Sequence, residues 1–375
     1  MKALSLLIKP ASGHCNLRCK YCFYVDVVSS RDEKNYGMMS HETLEKLIKS
    51  AFAEVTQFCS IGFQGGEPTL AGLSFYRSLI KFVKKYNQKG VKVAYSIQTN
   101  GLLLDDEWAG FLAENKFLVG LSIDAGKSVH DGMRIDTNGK GTHSKCLQAA
   151  RLLEKHKVDF NILSVVSKEL AAHPDKAWQF YKQHGFRHIQ FIPCLDALSE
   201  DQDNPHLPSA QIYGKFLCRI FDLWYKDLAD NNYVSVRAFD NYVQMLAGFA
   251  PENCAMSGIC NVYGLVEANG NVYPCDFYAV DEYLLGNIHT HTFEGMLTDE
   301  VANSFAAPSK EADSHCKDCE HFFICRGGCR RDREPAVNGK LSLNRFCKAY
   351  KVFFSYALPR MISIAKSVPR NRQTV

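Results

Sequence analysis

Apolar residues gather in short runs at near-even spacing along the first two hundred positions: LSLLI (4–8), SIGF (60–63), KVAYSI (92–97), FLVGLSI (117–123), FNILSVV (160–166) and HIQFI (188–192). Runs of this length, rich in Ile, Val and Phe, read as buried strands. A stretch of helical periodicity follows each one. The clearest is SHETLEKLIKSAFAEV (40–55): Ser40 suits the N-cap, Glu42 lies in the first turn, and Leu44, Leu47, Ile48, Ala51, Phe52 and Val55 form one apolar stripe. Strands alternating with helices make βαβ units and a parallel sheet. Six units fall short of the eight that close a barrel, so the pattern predicts an α/β fold, a partial (β/α)6 TIM-like barrel.

The polar motifs lie directly after the strands: HCNLRCKYC after the first, QGGEPT after the second, QTNG after the third and DAGK after the fourth. Loops at the carboxyl ends of barrel strands build the active site, so these motifs should converge on one mouth. Beyond the helical segment YGKFLCRIFDLWYKDLAD the alternation stops and cysteines, glycines and turn residues become frequent. The chain therefore divides into units 1–234 and 235–375.

Composition narrows the function classes. The chain has 375 residues, 46% hydrophobic and 22% charged, with a net charge of +4 and no run of five or six like charges. A nucleic-acid or membrane-surface role has no electrostatic support, and the terminal RNRQTV is too short to change that. No stretch approaches the 18 apolar residues of a membrane span. Lys9 and Pro10 cut off the first apolar run, which reads as a strand rather than a signal segment, and the protein is expected in the cytoplasm. Fifteen cysteines in such a chain point to metal or redox chemistry, since cytosolic thiols are kept reduced.

Cys15, Cys19 and Cys22 fall within eight residues. Zinc and iron–sulfur centres normally take four protein ligands, so a run of three raises the question of the fourth. His14 or Cys59 could complete a zinc site. Alternatively, three thiolates hold a 4Fe-4S cluster whose fourth iron stays open to a chelating ligand. The run resembles the CxxxCxxC signature of radical S-adenosylmethionine (radical SAM) enzymes, including the aromatic Tyr21 before the third cysteine, and GGEP (65–68) resembles their second motif. The resemblance implies that the open iron takes S-adenosylmethionine, that Gly65, Gly66 and Glu67 meet its amino group, and that Ser122, Arg134 and Leu195 meet its ribose, carboxylate and adenine. Family members commonly read DGP where this chain has Asp124, Ala125 and Gly126, so the loop lacks its proline.

A second constellation follows: Cys260, nine residues, Gly270, four, Cys275, then Cys316, two, Cys319, five, Cys325, three, Cys329, and finally Cys347. This is similar to the SPASM signature without a mismatch, and Cys254 makes eight thiols, enough for two fully ligated 4Fe-4S clusters. A pair of structural zinc sites is the alternative. By resemblance Cys254, Cys260, Cys275 and Cys329 hold the nearer auxiliary cluster, and Cys316, Cys319, Cys325 and Cys347 the outer one. Three clusters are implied in all, and Cys59, Cys146, Cys194 and Cys218 are left as buried small hydrophobes.

IKPASGHCNLRCKYCFY, FQGGEPTLAGL, QTNG, ENKFLVGLSID, VYPCDFY and RGGCRRDR together resemble the anaerobic sulfatase-maturating enzymes over nearly the whole chain. The resemblance implies oxidation of a sulfatase Cys or Ser, in an unfolded or nascent C/S-x-P-x-R segment, to formylglycine. It implies Asp276 as the catalytic base and a small ferredoxin or flavodoxin as electron donor. Tyr24, Gln64, Gln98 and Arg237 are expected to hydrogen-bond the extended peptide. A SPASM enzyme that crosslinks a ribosomal peptide would share every cluster motif; many of those carry a recognition domain ahead of the barrel, whereas 14 residues precede Cys15 here. A non-enzymatic electron carrier or zinc scaffold would leave the three-cysteine run and GGEP without a purpose.

Overall fold

The computed structural model describes residues 1–198 and 204–369; the RNRQTV tail lies outside them. Six parallel strands stand side by side in chain order: β1 (Ala3–Ile8), β2 (Phe58–Phe63), β3 (Lys92–Thr99), β4 (Phe117–Ser122), β5 (Phe160–Val166) and β6 (His188–Pro193). Each coincides with a predicted run to within two residues at either end. The register aligns buried apolar positions across the sheet: Ile8 with Phe63, Phe63 with Ile97, and Ile97 with Val119. Helices including His41–Glu54, Leu73–Tyr86, Asp106–Glu114, His143–Lys155 and Pro174–Gln183 connect the strands in sequence, since parallel neighbours need a crossover between them.

The first long helix shows how sequence becomes packing. The Ser40 hydroxyl accepts the Thr43 N–H at 3.0 Å, a cap worth about 1 kcal/mol. The predicted stripe, Leu44 through Val55, is buried against the sheet. On the neighbouring helix Tyr76 meets Phe63 of β2 edge-on, with ring centroids 4.9 Å apart. These contacts fix the back of the strands and leave their carboxyl ends to the loops.

The sheet does not end with β6. Strand β7 (Ser235–Val236) pairs with β6, and β8 (Gly264–Val266) pairs in parallel with β1 at the opposite edge, followed by antiparallel β9 (Asn271–Tyr273) and β10 (Gly286–Asn287). Segments from beyond residue 234 thus cover both edges of the six-stranded core, satisfying backbone groups that would otherwise stay open. Strands of two or three residues carry no periodicity, so nothing in the sequence announced them.

Two further contacts tie the halves together. Glu54 accepts the N–H groups of Phe293 and Glu294 at 2.9 and 2.8 Å, capping the helix Phe293–Thr298. The final helix, Cys347–Ala365, lies along Ala210–Ala229, close enough that a Cβ on Gly214 would stand 3.1 Å from the Ala349 Cα. Among the described residues no helix is long and apolar enough to cross a membrane.

Candidate active site

The loop after β1 and the loop after β2 lock together. Arg18 donates to the carbonyls of Cys15 and Leu17 at 2.8 Å, and the Leu17 N–H points at the Cys15 sulfur at 3.3 Å. Gly66 sits at φ +43°, where a Cβ would fall 2.1 Å from the His14 carbonyl oxygen; the same oxygen accepts the Glu67 N–H at 2.8 Å. Only glycine permits this approach. As a result Cys15, Cys19, Cys22, Gly65, Gly66 and Glu67 line one cavity of about 350 Å³ at the carboxyl ends of the strands. Burial pushes the Cys15 thiol up to about 12 and the Cys19 thiol up to about 11, and raises Cys22 as well. A metal centre binding here must displace those protons, and its binding free energy would add to the folding free energy.

The two candidates for a fourth zinc ligand stand apart. Cys59 is buried in β2, and the exposed His14 places its ring nitrogen 2.9 Å from Asn35 Nδ2. Among the described residues no three Cys, His, Asp or Glu side chains close on one point as a single ion would need, given zinc–sulfur bonds of about 2.3 Å.

Other predicted contacts reach the same cavity, several with a structural task attached. Glu67 is buried, and its carboxylate already accepts from Thr69, Thr99 and Asn100. Burial raises its pKa, and those donors pull it back. Ser122, Arg134 and Leu195 line the wall. The Tyr21 hydroxyl donates to Asp124, which also receives Arg134 Nε at 2.9 Å and the Val165 N–H at 2.9 Å. Tyr21 therefore helps aim Arg134 through Asp124. In the altered loop Ala125 adopts φ +51°, the left-handed region, and Gly126 takes φ −70°, an angle proline would hold. The left-handed angle puts backbone strain on an alanine.

Each group of four C-terminal thiols rings its own cavity. Cys254, Cys260, Cys275 and Cys329 line one, and Cys316, Cys319, Cys325 and Cys347 line another. Burial raises Cys275 to about 12 and Cys325 to about 11. The first set comes from the turn after residue 253, the end of β9 and the RGGC loop; the second closes on the first residue of the final helix. Of the four remaining cysteines, Cys59, Cys146 and Cys194 are buried as expected, while Cys218 is only half-buried on its helix.

Asp276 follows Cys275 directly and turns its side chain into the 350 Å³ cavity that the first three thiols line. Tyr24 donates to both of its oxygens and Gln64 Nε2 to Oδ2 at 2.9 Å, while the Tyr263 hydroxyl accepts its N–H at 2.9 Å. Burial and the adjacent carboxylate hold the Tyr24 phenol well above its ordinary range, so it remains a donor. Two residues the sequence did not single out complete this network. Lys9 Nζ is 3.3 Å from Asp276 and 3.6 Å from Glu267, and Glu267 in turn meets Arg31 at 2.7 Å. Lys9 stood out in the sequence only as the residue that ends the first apolar run.

Gln98 joins the same cavity, but Arg237 does not. Arg237 lines a neighbouring chamber of about 340 Å³ and donates to Gln190 at 2.7 Å and to Glu252 at 2.9 Å. Gln190, Ile192, Pro193, Leu195 and Phe277 are shared walls of the two spaces. Gln190 carried no motif that could have flagged it.

Comparison with known proteins agrees with the fold and with the two cysteine-bearing regions. A family model for the radical SAM superfamily matches residues 10–173, and one for the SPASM iron-sulfur cluster-binding domain matches residues 260–320. A cysteine-type anaerobic sulfatase-maturating enzyme of Clostridium novyi is 45% identical over 369 residues, covering 98% of this chain and 99% of that protein. A serine-type enzyme of Bacteroides thetaiotaomicron is 34% identical over 385 residues, covering 98% of this chain and 92% of that one. A solved structure of native anSMEcpe with bound AdoMet and Cp18Cys peptide superposes with a TM-score of 0.93 at 44% identity, covering 98% and 100% of the two chains.

Proposed function

The chain belongs to the anaerobic sulfatase-maturating enzymes, radical SAM proteins that oxidise a sulfatase cysteine to formylglycine, and from that premise we propose how its own residues divide the work. What carries the reading is the position of Asp276: it shares one cavity with Cys15, Cys19, Cys22 and GGE, and its chain neighbour Cys275 rings the next cavity.

Cys15, Cys19 and Cys22 would hold the cluster that binds S-adenosylmethionine, and the two rings of four thiols would hold the auxiliary clusters. When bound, these groups supply a 5'-deoxyadenosyl radical that takes a hydrogen atom from the substrate Cβ, and a sink for one electron. Gly65, Gly66 and Glu67 shape the amino-group site, Arg134 is aimed by Asp124 and Tyr21, and Ser122 and Leu195 line the remaining wall. Asp276 takes the thiol proton. Loss of a hydrogen atom, a proton and an electron leaves a thioaldehyde, which water converts to the aldehyde with release of hydrogen sulfide. Tyr24 and Gln64 surrender hydrogen bonds to the incoming peptide, Gln98 meets it in the same cavity, and Arg237 with Gln190 receives its flank in the adjoining chamber.

The substrate segment is an unfolded or nascent sulfatase strand with the C-x-P-x-R pattern, since an extended strand needs the donors and acceptors these walls offer. Identity to the cysteine-type relatives exceeds that to the serine-type, which favours cysteine. We assign residues 1–234 to the barrel and 235–375 to the cluster-bearing unit, a small ferredoxin or flavodoxin as electron donor, and the cytoplasm as location, where cysteines stay reduced and able to bind metal.

The test is anaerobic incubation of the reconstituted enzyme with S-adenosylmethionine, a reductant and a C-x-P-x-R peptide. The expected product has one sulfur and two hydrogens replaced by one oxygen. A crosslinked peptide, or 5'-deoxyadenosine with unchanged peptide, would overturn the assignment.

A further inference from the structure

One charged partner of Asp276, Lys9, is absent from the cavity wall. Tyr24 and Gln64 are part of that wall, so a bound peptide can draw their hydrogen bonds to itself. Lys9 is not: it is 1% exposed, and its stem runs under Gly65, where a Cβ would meet the Lys9 Cγ at 2.4 Å. Its ammonium lies 4.4 Å from the Tyr24 ring centroid and 3.3 Å from Asp276 Oδ1. A buried ammonium is costly unless carboxylates compensate it. Lys9 has two such partners, yet Glu267 already has Arg31 at 2.7 Å, whereas among the described residues Asp276 has no other cation within 4.0 Å. The partner for which Lys9 is indispensable is therefore Asp276.

We propose that Lys9 is a positioning residue of the formylglycine reaction: from behind the cavity wall it holds the Asp276 carboxylate in place and balances its charge while Tyr24 and Gln64 turn to the substrate. A base whose other partners leave on substrate binding needs one that stays, because a misplaced carboxylate loses the geometry on which proton transfer depends. Lys9 touches neither substrate nor cofactor and acts through Asp276. The inference rests on the reading of Asp276 as the base.

Lys9→Met keeps the length and removes the charge. In the reconstituted full-length enzyme with the C-x-P-x-R peptide, formylglycine kcat should fall about 10- to 100-fold. The peptide KM should stay within about 3-fold, while 5'-deoxyadenosine falls less, so the ratio of 5'-deoxyadenosine to formylglycine rises about 10-fold. In an Asp276→Asn background the same change should alter formylglycine by less than about 2-fold, because the effect runs through Asp276. Glu267→Gln, which leaves Lys9 on Asp276, should keep the wild-type ratio. If Lys9→Met does not fold, Lys9→Met with Glu267→Gln removes one buried charge of each sign and should show the same raised ratio. A ratio unchanged by Lys9→Met, or raised as much by Glu267→Gln alone, overturns the proposal. Wild-type formylglycine yield from Asp276→Asn overturns the base reading instead, whatever Lys9 does.

Discussion

The Tyr24 hydroxyl donates to both carboxylate oxygens of Asp276, at 2.8 and 2.7 Å, bridging 252 residues between the first barrel loop and the residue after Cys275. The contact joins the loop of Cys15, Cys19 and Cys22 to the proposed base across the cavity. Asp276→Asn keeps the shape and removes the basicity, and formylglycine formation should fall by about 10² to 10⁴. Tyr24→Phe removes one donor and should cost about 10-fold, with Asp276 still in place. Both variants should keep all three clusters and lose less 5'-deoxyadenosine than formylglycine. Chromatography of both products from one reaction decides the matter; an equal loss would return Asp276 to a purely structural role.

Iron content tests the three thiol groups. Eleven cysteines arranged as three, four and four imply about twelve iron atoms per chain after anaerobic reconstitution. Replacing Cys15, Cys19 and Cys22 with Ala should remove about four of them and all 5'-deoxyadenosine formation. Gly66→Ala should act in the same direction, since its Cβ would fall 2.1 Å from the His14 carbonyl oxygen and force the two loops apart. About four irons with stoichiometric zinc in the wild type would refute the assignment of the C-terminal rings.

The altered loop beyond Asp124 makes a stability prediction. Ala125 at φ +51° carries strain that glycine would not, about 1 kcal/mol. Gly126 at φ −70° already has the proline angle, and proline there would restrict the unfolded chain, adding about 0.4 to 1 kcal/mol. Ala125→Gly combined with Gly126→Pro should raise the thermal unfolding midpoint by a few degrees with wild-type cluster content. A lower midpoint by calorimetry would mean that the surroundings require the alanine.

His130 sets part of the acid sensitivity. It is fully buried; the Asp124 N–H donates to its Nδ1 at 3.3 Å, and its Nε2 lies 3.1 Å from the Thr142 hydroxyl, which itself donates to the Arg134 carbonyl. That arrangement fits the neutral ring with the proton on Nε2. Burial lowers its pKa from 6.5 to about 3. Between those values the unfolded chain binds the proton and the folded chain does not, so this stability is present above pH 6.5 and is lost as pH falls toward 3. His130→Gln, which does not titrate, should flatten the decline in urea stability between about pH 7 and pH 5. An unchanged slope would show that other groups govern it.

Periodicity alone located all six barrel strands and the helix from His41 to Glu54, because burial on both faces demands unbroken apolar runs and a helix packed on a sheet demands a stripe. The family resemblance, not the spacing, grouped the eight C-terminal thiols as the cavities group them: Cys329 lies with Cys254, Cys260 and Cys275 although Cys325 is nearer in sequence. The two-residue strands at the sheet edges left no such trace. Nor did Lys9 and Glu267, each an unremarkable charged residue in sequence.

By itself the sequence determined the α/β architecture and the cysteine motifs with the family they resemble, because hydrophobic period and motif spacing are local properties of the chain; which C-terminal thiols share a cavity came from the resemblance and from the structure. Only the tertiary structure decided that Asp276 is held by Tyr24, Gln64 and Lys9, that Tyr21 reaches Arg134 through Asp124, and that Arg237 lies in a separate chamber. Those relationships depend on how far apart the carboxyl ends of β1, β2, β4 and β6 come to rest once the helices and the C-terminal strands have packed against the sheet. Distance across a barrel mouth is set by the whole core, and no single stretch of residues encodes it.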